Sequence, residues 1–553
     1  MNGILLLLLS SVLLVAAYVI YGGYLSKKWG IDANKKTPAH ELNDGVDYVA
    51  GKRNVVFGHE FASIAGAGPI NGPIIAAMFG WVPVFLWIII GGIFIGAVQD
   101  FAAMYASVKN KGRTIGYVIE QYIGASGKKL FLIFVWLFSI LVIAAFADIV
   151  AETFNGFSAD ESKISANAAV ASTSILFMIA AVGLGFFIRR KPNNVLQTTI
   201  AIVLLAACVA LGLSFPIYMT QHFWLYFVFG YVFVACITPV WALLQPRDYL
   251  NSFLLIVMMI CAFAGVIVNN PQMNIAAFSG FEVNGNYLFP ILFVTVACGA
   301  VSGFHALIAS GTASKQIDSE RDMLPVSFGA MLLECLLAVL ALIAVGALAS
   351  VADGKLPQGT PPVIFAGAIA GFLSTLGLPQ NIIYTLITLS ISAFALTSLD
   401  SCARIGRMCF QELFMNDEKS PFPTNILCNK YFASALTLIM GYFLSLRGYK
   451  DIWPLFGSAN QLLAALVLIA CAVFLKKTKR DGFSLYVPFG FMLAVTFCAL
   501  GLTIYKLAHK IFVSLDFALA SDGIQLVFAV LLFGLGVVVA VQGVRSLNHS
   551  PAA

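Results

Sequence analysis

The stretch Ala65-Gly-Ala-Gly-Pro-Ile-Asn-Gly-Pro73 decides the architecture. It lies inside an apolar segment, residues 57–79, that is long enough to cross a bilayer, which takes about 20 mostly apolar residues. Yet two of its nine residues are proline and three are glycine. Proline removes a backbone donor and clashes with the preceding turn, and glycine contributes little to holding a helix together. The segment is therefore expected to be an interrupted spanning helix. The amides exposed where the second half begins can bind an anion through their N–H groups and the helix dipole. Backbone opened at membrane depth persists only where it lines a cavity or is buried in protein. Gly66, Gly68, Pro69 and Asn71 thus become candidate solute-binding residues. The alternative is a kink used for close helix packing.

The rest of the chain fits a lipid solvent. Of its 553 residues, 60% are hydrophobic and only 10% charged, against about 25% charged in soluble domains. The net charge of +6 is read by location and not as a nucleic-acid footprint, which would cluster on one face. The ten cysteines form no CxxC pair and no Cys/His ligand spacing, so no zinc or haem site is signalled. Residues 1–25 lack a basic flank and a small-residue cleavage site and are read as a retained helix.

Fifteen apolar stretches follow: 3–25, 57–79, 82–108, 129–154, 168–189, 197–218, 223–244, 250–268, 288–313, 324–352, 381–408, 430–446, 452–475, 484–508 and 523–545. Residues 115–124 and 361–377 are placed at the membrane interface. Of the 32 Lys and Arg residues, 26 fall in loops after odd-numbered helices and 6 after even-numbered ones. Cytoplasmic loops carry the excess, so the N-terminus is expected outside and the C-terminus in the cytoplasm.

Phe61-Ala-Ser-Ile-Ala-Gly-Ala-Gly68 and His305-Ala-Leu-Ile-Ala-Ser-Gly-Thr312 share three of eight residues, and the helices that follow keep nearly the same offset. The second and ninth helices are an odd number apart, so the two units lie inverted. Inverted repeats with interrupted helices at the midplane are a hallmark of transporters. The fold expected is an all-α polytopic membrane protein with a 5+5 inverted repeat of LeuT/APC type plus additional helices. Its parts are an extra helix and loop (1–56), a first repeat (57–218), two connecting helices (219–287), a second repeat (288–475) and two C-terminal helices (476–553).

Polar residues within the spans mark the rest of the candidate site. Ser302, His305, Ser310, Gly311 and Thr312 form the counterpart of the first break. A histidine here can carry a proton or contact an anion, or it can bridge helices. Intramembrane carboxylates commonly mark proton or ion sites: Asp148 and Glu334 are the deepest by sequence, while Glu60, Asp100 and Asp400 lie nearer cytoplasmic ends. Asp400 and Arg404, four apart, are expected to pair on one helical face. Thr397 and Ser398 either ligate sodium or bond back to their own helix. Asn460 and Gln461 either bind solute or bridge helices. No P-loop, HExxH or GxSxG motif is present, so neither an ATP-driven pump nor a familiar hydrolase is indicated.

Six segments resemble the carbon starvation protein A (CstA) family: Phe57-Gly-His-Glu-Phe-Ala-Ser-Ile-Ala-Gly-Ala-Gly-Pro69, Gly96-Ala-Val-Gln-Asp-Phe101, Ser302-Gly-Phe-His305, Ser310-Gly-Thr-Ala-Ser-Lys-Gln316, Leu396-Thr-Ser-Leu-Asp400 and Trp453-Pro-Leu-Phe-Gly-Ser-Ala-Asn-Gln461. The segments lie between Phe57 and Gln461, and the resemblance extends over about residues 45–475. Members often show His-His where this chain has His59-Glu60, and His-Asp where it has Gln99-Asp100, so Glu60 and Gln99 receive no role from the resemblance. It implies a cytoplasmic-membrane importer of pyruvate or short peptides used when carbon is scarce, proton-coupled in some members. The partners expected are a small carboxylate or peptide solute and membrane lipid. No cofactor is expected beyond a coupling ion, H+ or Na+. A sodium symporter of the same fold and a membrane nutrient sensor are the alternatives.

Overall fold

A computed structural model describes the chain except for residues 45–47, 158–161, 191–193, 239–242, 351–354, 415–425, 447, 515–521 and 549–553. Lys191, Lys419 and Arg447, which enter the charge count above, lie outside the described residues.

The molecule is a helical bundle. The helices are α1 (Gly3–Lys28), α2 (Arg53–Ile64), α3 (Gly68–Phe79), α4 (Trp81–Lys109), α5 (Ala125–Phe154), α6 (Ser165–Arg190), α7 (Asn194–Ser214), α8 (Gln221–Ile237), α9 (Leu244–Asn269), α10 (Leu288–Val296), α11 (Gly303–Gly311), α12 (Glu320–Leu348), α13 (Gln380–Phe414), α14 (Lys430–Ser445), α15 (Tyr449–Lys477), α16 (Phe483–His509) and α17 (Ile524–Asn548). Each of the fifteen expected stretches contains a helix, and those at 57–79 and 288–313 are broken in two. By length and composition, eleven helices among the described residues can cross a membrane, or up to twelve with the bent pair α2–α3 counted as one span. Residues 199–214, α8 and α14 are too short for a full crossing by that measure. The two stretches placed at the interface form the short helices Ile115–Tyr122 and Pro361–Ser374.

Burial sorts the helices. The most apolar stretch of α15 is wholly buried, and those of α5 and α13 are 83% buried, whereas those of α1, α9, α16 and α17 are 28–39% buried. A helix apolar on all sides belongs in a core or against lipid, so α5, α13 and α15 are the centre and the others face the bilayer. Packing agrees: α5 lies along α13, and α15 touches α5, α11, α16 and α17.

The helix of residues 53–79 is broken between Ile64 and Gly68, and its halves diverge by 46°. Ala65, at ψ 59°, leaves the helical region. Pro69 sits in the first turn of α3, where its missing N–H and fixed φ suit a helix start. Pro69 thus marks where the second half begins, whereas Pro73 lies inside α3. A second break separates α10 from α11 at residues 297–302, through a tight turn at Ala297–Gly299. The halves cross closely: a β-carbon on Gly72 of α3 would stand 2.3 Å from the Val296 carbonyl oxygen at the end of α10. Only glycine permits that approach.

Candidate functional site

The two breaks meet at a small cavity. It is lined by Ile64 and Gly66 from the first break, Cys298 and Phe304 around the second, Val142 and Phe146 of α5, Ser398 of α13 and Phe456 of α15. Every helix expected to hold a solute therefore contributes a wall. Three phenylalanine rings make most of the lining apolar. Its polar side chains are Ser398, whose Oγ is buried without a hydrogen-bond partner, and Cys298, whose thiol lies 3.5 Å from Ser302 Oγ; α3 begins beside it at Gly68. Gly68 abuts Cys298, since a β-carbon there would stand 2.7 Å from the thiol sulfur.

The second break is held by side chains from α15. Asn460 Oδ1 accepts the Phe304 N–H (3.2 Å) and the Ser302 hydroxyl (3.3 Å), satisfying the first turn of α11. Asn460 Nδ2 reaches Ser302 Oγ at 3.2 Å and Cys298 Sγ at 3.6 Å. Gln461 Nε2 donates to the Val301 and Phe293 carbonyls at 3.0 and 3.2 Å. Both residues bridge helices. Freed backbone groups at membrane depth need such partners.

Beside the cavity lies a buried acid–imidazole cluster. His305 follows cavity-lining Phe304 on α11. Its Nδ1 is 3.0 Å from Asp100 Oδ2 on α4, and its Nε2 is 3.3 Å from Glu334 Oε2 on α12, an ion-pair distance without hydrogen-bond geometry. All three side chains are at most 1% exposed. Gln99 Nε2 donates to the Ser302 carbonyl at 2.6 Å, tying α4 to the second break. Glu60 of α2, also buried, lies within electrostatic reach of Asp100 and Glu334, and neither of its oxygens has a partner. Asp100 therefore meets an imidazole and not a Lys or Arg side chain.

The remaining carboxylates go elsewhere. Asp400 does not pair with Arg404. Its Oδ2 binds the guanidinium of Arg247 from α9 and accepts the Tyr231 hydroxyl at 3.1 Å, while Arg404 donates to the Ala235 and Thr238 carbonyls. Arg247 is 1% exposed and also contacts Asp248 at 3.1 Å and Thr397 Oγ1 at 3.3 Å. Thr397 Oγ1 additionally accepts from Asn251 Nδ2 at 2.7 Å and bonds back to the Ala393 carbonyl at 3.0 Å. A guanidinium against this hydroxyl repels a cation, which disfavours Thr397 as a sodium ligand. Asp148, deep by sequence, is bonded to the start of α15: Oδ2 accepts the Tyr449 N–H at 2.7 Å and Oδ1 the Gln221 amide at 2.9 Å.

Of the other candidates, Gly66 and Ser398 line the cavity, Gly68 borders it, and Pro69 sits in the first turn of α3. Asn71 is fully buried on α3 with both side-chain polar atoms unpartnered. Ser310, Gly311 and Thr312 lie at the far end of α11. There Ser310 Oγ accepts the Ile115 N–H at 3.3 Å, and the Ser107 and Ser314 hydroxyls both donate to the Ser310 carbonyl at 3.0 Å, which fixes the loop after α4. The structure thus separates these three from the cavity. Sequence reasoning gave no role to Gln99 or Arg247 and named Glu60 only among the carboxylates near cytoplasmic helix ends. The departures at His59-Glu60 and Gln99-Asp100 were the available signal for Glu60 and Gln99.

Comparisons with known proteins agree with this geometry. The transporter MhsT, solved with L-phenylalanine, superimposes with a TM-score of 0.51 at 13% identity, covering 88% of this chain and 99% of that one. A manganese transporter from Eremococcus coleocola gives 0.51 at 12% identity, covering 91% and 99%. At such identities the likeness establishes the fold: a LeuT-type inverted-repeat membrane transporter architecture. The peptide transporter CstA of Bacillus subtilis is 34% identical over 86% of each chain. The pyruvate/proton symporter BtsT of Escherichia coli is 31% identical over 89% of this chain and 80% of that one. The family described as carbon starvation protein CstA matches residues 2–360 and 350–499, and this chain, a multi-pass membrane protein and not an enzyme, belongs to that family.

Proposed function

We propose that this protein imports a small carboxylate solute, pyruvate or a short peptide, together with protons, by alternating access across the bacterial inner membrane. The observation that carries the reading is the meeting of two helix breaks at a cavity with a buried acid–imidazole cluster beside it. The solute's carboxylate is assigned to the start of α3 at Ala67 and Gly68 and to the Ser398 hydroxyl, where the half-helix dipole favours negative charge. Phe146, Phe304 and Phe456 cover its apolar part. The buried cluster of Glu60, Asp100, His305 and Glu334 is assigned as the region that handles the proton, since acids buried together around one imidazole cannot all ionise and a change of protonation there is coupled to the packing of four helices. Ser302, Asn460 and Gln461 hold the second break open.

The packing supports a first repeat of residues 53–154 plus 221–269, with α6 and α7 inserted, in place of a unit ending at residue 218. Helix α9 packs on α2 and α13 as α15 packs on α10, α11 and α5. The Lys and Arg distribution supports an external N-terminus and a cytoplasmic C-terminus.

The test is uptake of labelled pyruvate into proteoliposomes under an imposed proton or sodium gradient, with unlabelled dialanine as competitor. Proton-driven uptake supports the reading, and dialanine competition places peptides at the same site. Uptake that is equal with and without a proton gradient overturns the coupling.

A further inference from the structure

We infer that Glu60 is the group that takes up and releases the symported proton, and that its half-helix α2 links that proton to solute occupancy. The inference rests on the proton-coupled reading above and names the residue within it.

Glu60 is 1% exposed, and neither carboxyl oxygen has a hydrogen-bond partner. The basic residue that starts its helix, Arg53, is engaged by Asp322 at 2.5 Å. Its electrostatic neighbours are two more acids, Asp100 of α4 and Glu334 of α12. His305 of α11, which could neutralise one of them, already stands between Asp100 and Glu334. From α9, Arg247 and Asp248 are bound to one another, and Arg247 also holds Asp400 of α13. On α2 itself, His59 is in electrostatic reach of Asp248. Lys315, beyond the end of α11, lies over the Tyr48 ring. Among the described residues no cation pairs with Glu60. A carboxylate buried without a partner carries a large desolvation cost, and acids that share a site cannot all ionise. In this arrangement a proton is assigned to the Glu60 carboxyl.

Asp100 and Glu334 differ because the imidazole ties both to one partner. Glu60 has nothing to replace its proton except water, which reaches it only if α2 moves. Helix α2 ends at the first break, where Ile64 and Gly66 line the cavity. A solute seated there and a proton on Glu60 thus act on the same half-helix: both must be in place for α2 to pack shut, and both leave when it swings away. For a monocarboxylate the cycle is electroneutral, one negative charge on the solute and one proton on Glu60.

The experiment uses the full-length protein in liposomes with two assays, exchange of labelled pyruvate at equal pH on both sides and net accumulation driven by a proton gradient. An inward gradient of about one pH unit sustains about tenfold accumulation per coupled proton. Glu60→Gln, which mimics the protonated acid, is expected to keep exchange and to lose gradient-driven accumulation together with pyruvate-dependent proton uptake. Retained gradient-driven accumulation in Glu60→Gln overturns the inference. If that variant does not fold, Glu60→Asp decides: a shifted pH midpoint for uptake supports it, and a midpoint identical to wild type overturns it. A wild-type protein that exchanges pyruvate but shows no gradient-driven accumulation fails the proton-coupled reading itself, which distinguishes that failure from a failure of Glu60.

Discussion

Gly66 and Ser398 face each other so closely across the cavity that a β-carbon on the glycine would stand 2.6 Å from the serine Oγ. The contact joins the first helix break to α13, and it places the one unpartnered hydroxyl of the lining against opened backbone. Gly66→Ala is therefore expected to fill the solute position and push Ser398 aside. Labelled pyruvate uptake should fall at least about tenfold, equivalent to about 1.4 kcal/mol of lost binding. Adding Ser398→Ala removes the Oγ but leaves a β-carbon 3.4 Å away, so the double variant should be no worse than the single. A Gly66→Ala protein with wild-type uptake would place the solute elsewhere.

Arg247 and Asp400 form an ion pair between α9 and α13 that is almost wholly removed from solvent. Breaking a buried pair by removing one partner costs about 3–5 kcal/mol, whereas replacing both with apolar groups is often nearly neutral. Asp400→Asn and Arg247→Met should each lower the unfolding temperature of the purified protein sharply, and the Arg247→Met/Asp400→Leu pair should recover much of the loss. Arg404→Ala combined with Asp400→Asn should show a much smaller interaction energy than Arg247→Met combined with Asp400→Asn, because Arg404 and Asp400 share no hydrogen bond. Strong coupling between Arg404 and Asp400 would contradict the geometry.

These two cases show what the sequence could and could not reveal. The first break was legible because glycine and proline act locally: the residues that open the helix are those that lie beside the opening. The second break carries no proline. Its opening at residues 297–302 depends on Asn460 and Gln461, more than 150 residues away in the chain, accepting and donating to its backbone. The Asp400–Arg404 pairing followed the helical rule for residues four apart, but tertiary packing supplied Arg247, 153 positions away, and turned Arg404 toward the carbonyls that end α8. Asp148 read as deep because it lies within a long apolar run. Its carboxylate is instead used where α15 begins. The cluster of Glu60, Asp100, His305 and Glu334 draws one residue from each of four helices, so only the fold brings it together.

His305 is the one basic partner of two buried acids. Its replacement by alanine leaves Asp100 Oδ2 without its hydrogen bond, and a buried polar group left unsatisfied costs about 1–3 kcal/mol, more if charged. His305→Ala should lose stability by at least that amount in thermal unfolding. His305→Gln, which keeps one donor toward Asp100, should lose less. Equal stability of the two variants would show that the Asp100 contact contributes little.

Asp148 provides the control that separates a structural carboxylate from a coupling one. Both oxygens are engaged, one by the Tyr449 N–H and one by the Gln221 amide. An acceptor at a helix N-terminus is worth about 1 kcal/mol, and the negative charge adds up to about 1 kcal/mol more through the dipole of α15. Asp148→Asn keeps one carbonyl oxygen and turns the other acceptor into a donor facing the Tyr449 or Gln221 N–H. It should therefore lower the unfolding temperature modestly while leaving proton-driven accumulation of pyruvate intact. The comparison with Glu60→Gln is direct, since both substitutions exchange a carboxyl for an amide of the same size. If Asp148→Asn uncouples uptake from the proton gradient and Glu60→Gln does not, the proton path runs along α5 to the start of α15, and the buried cluster at His305 is structural.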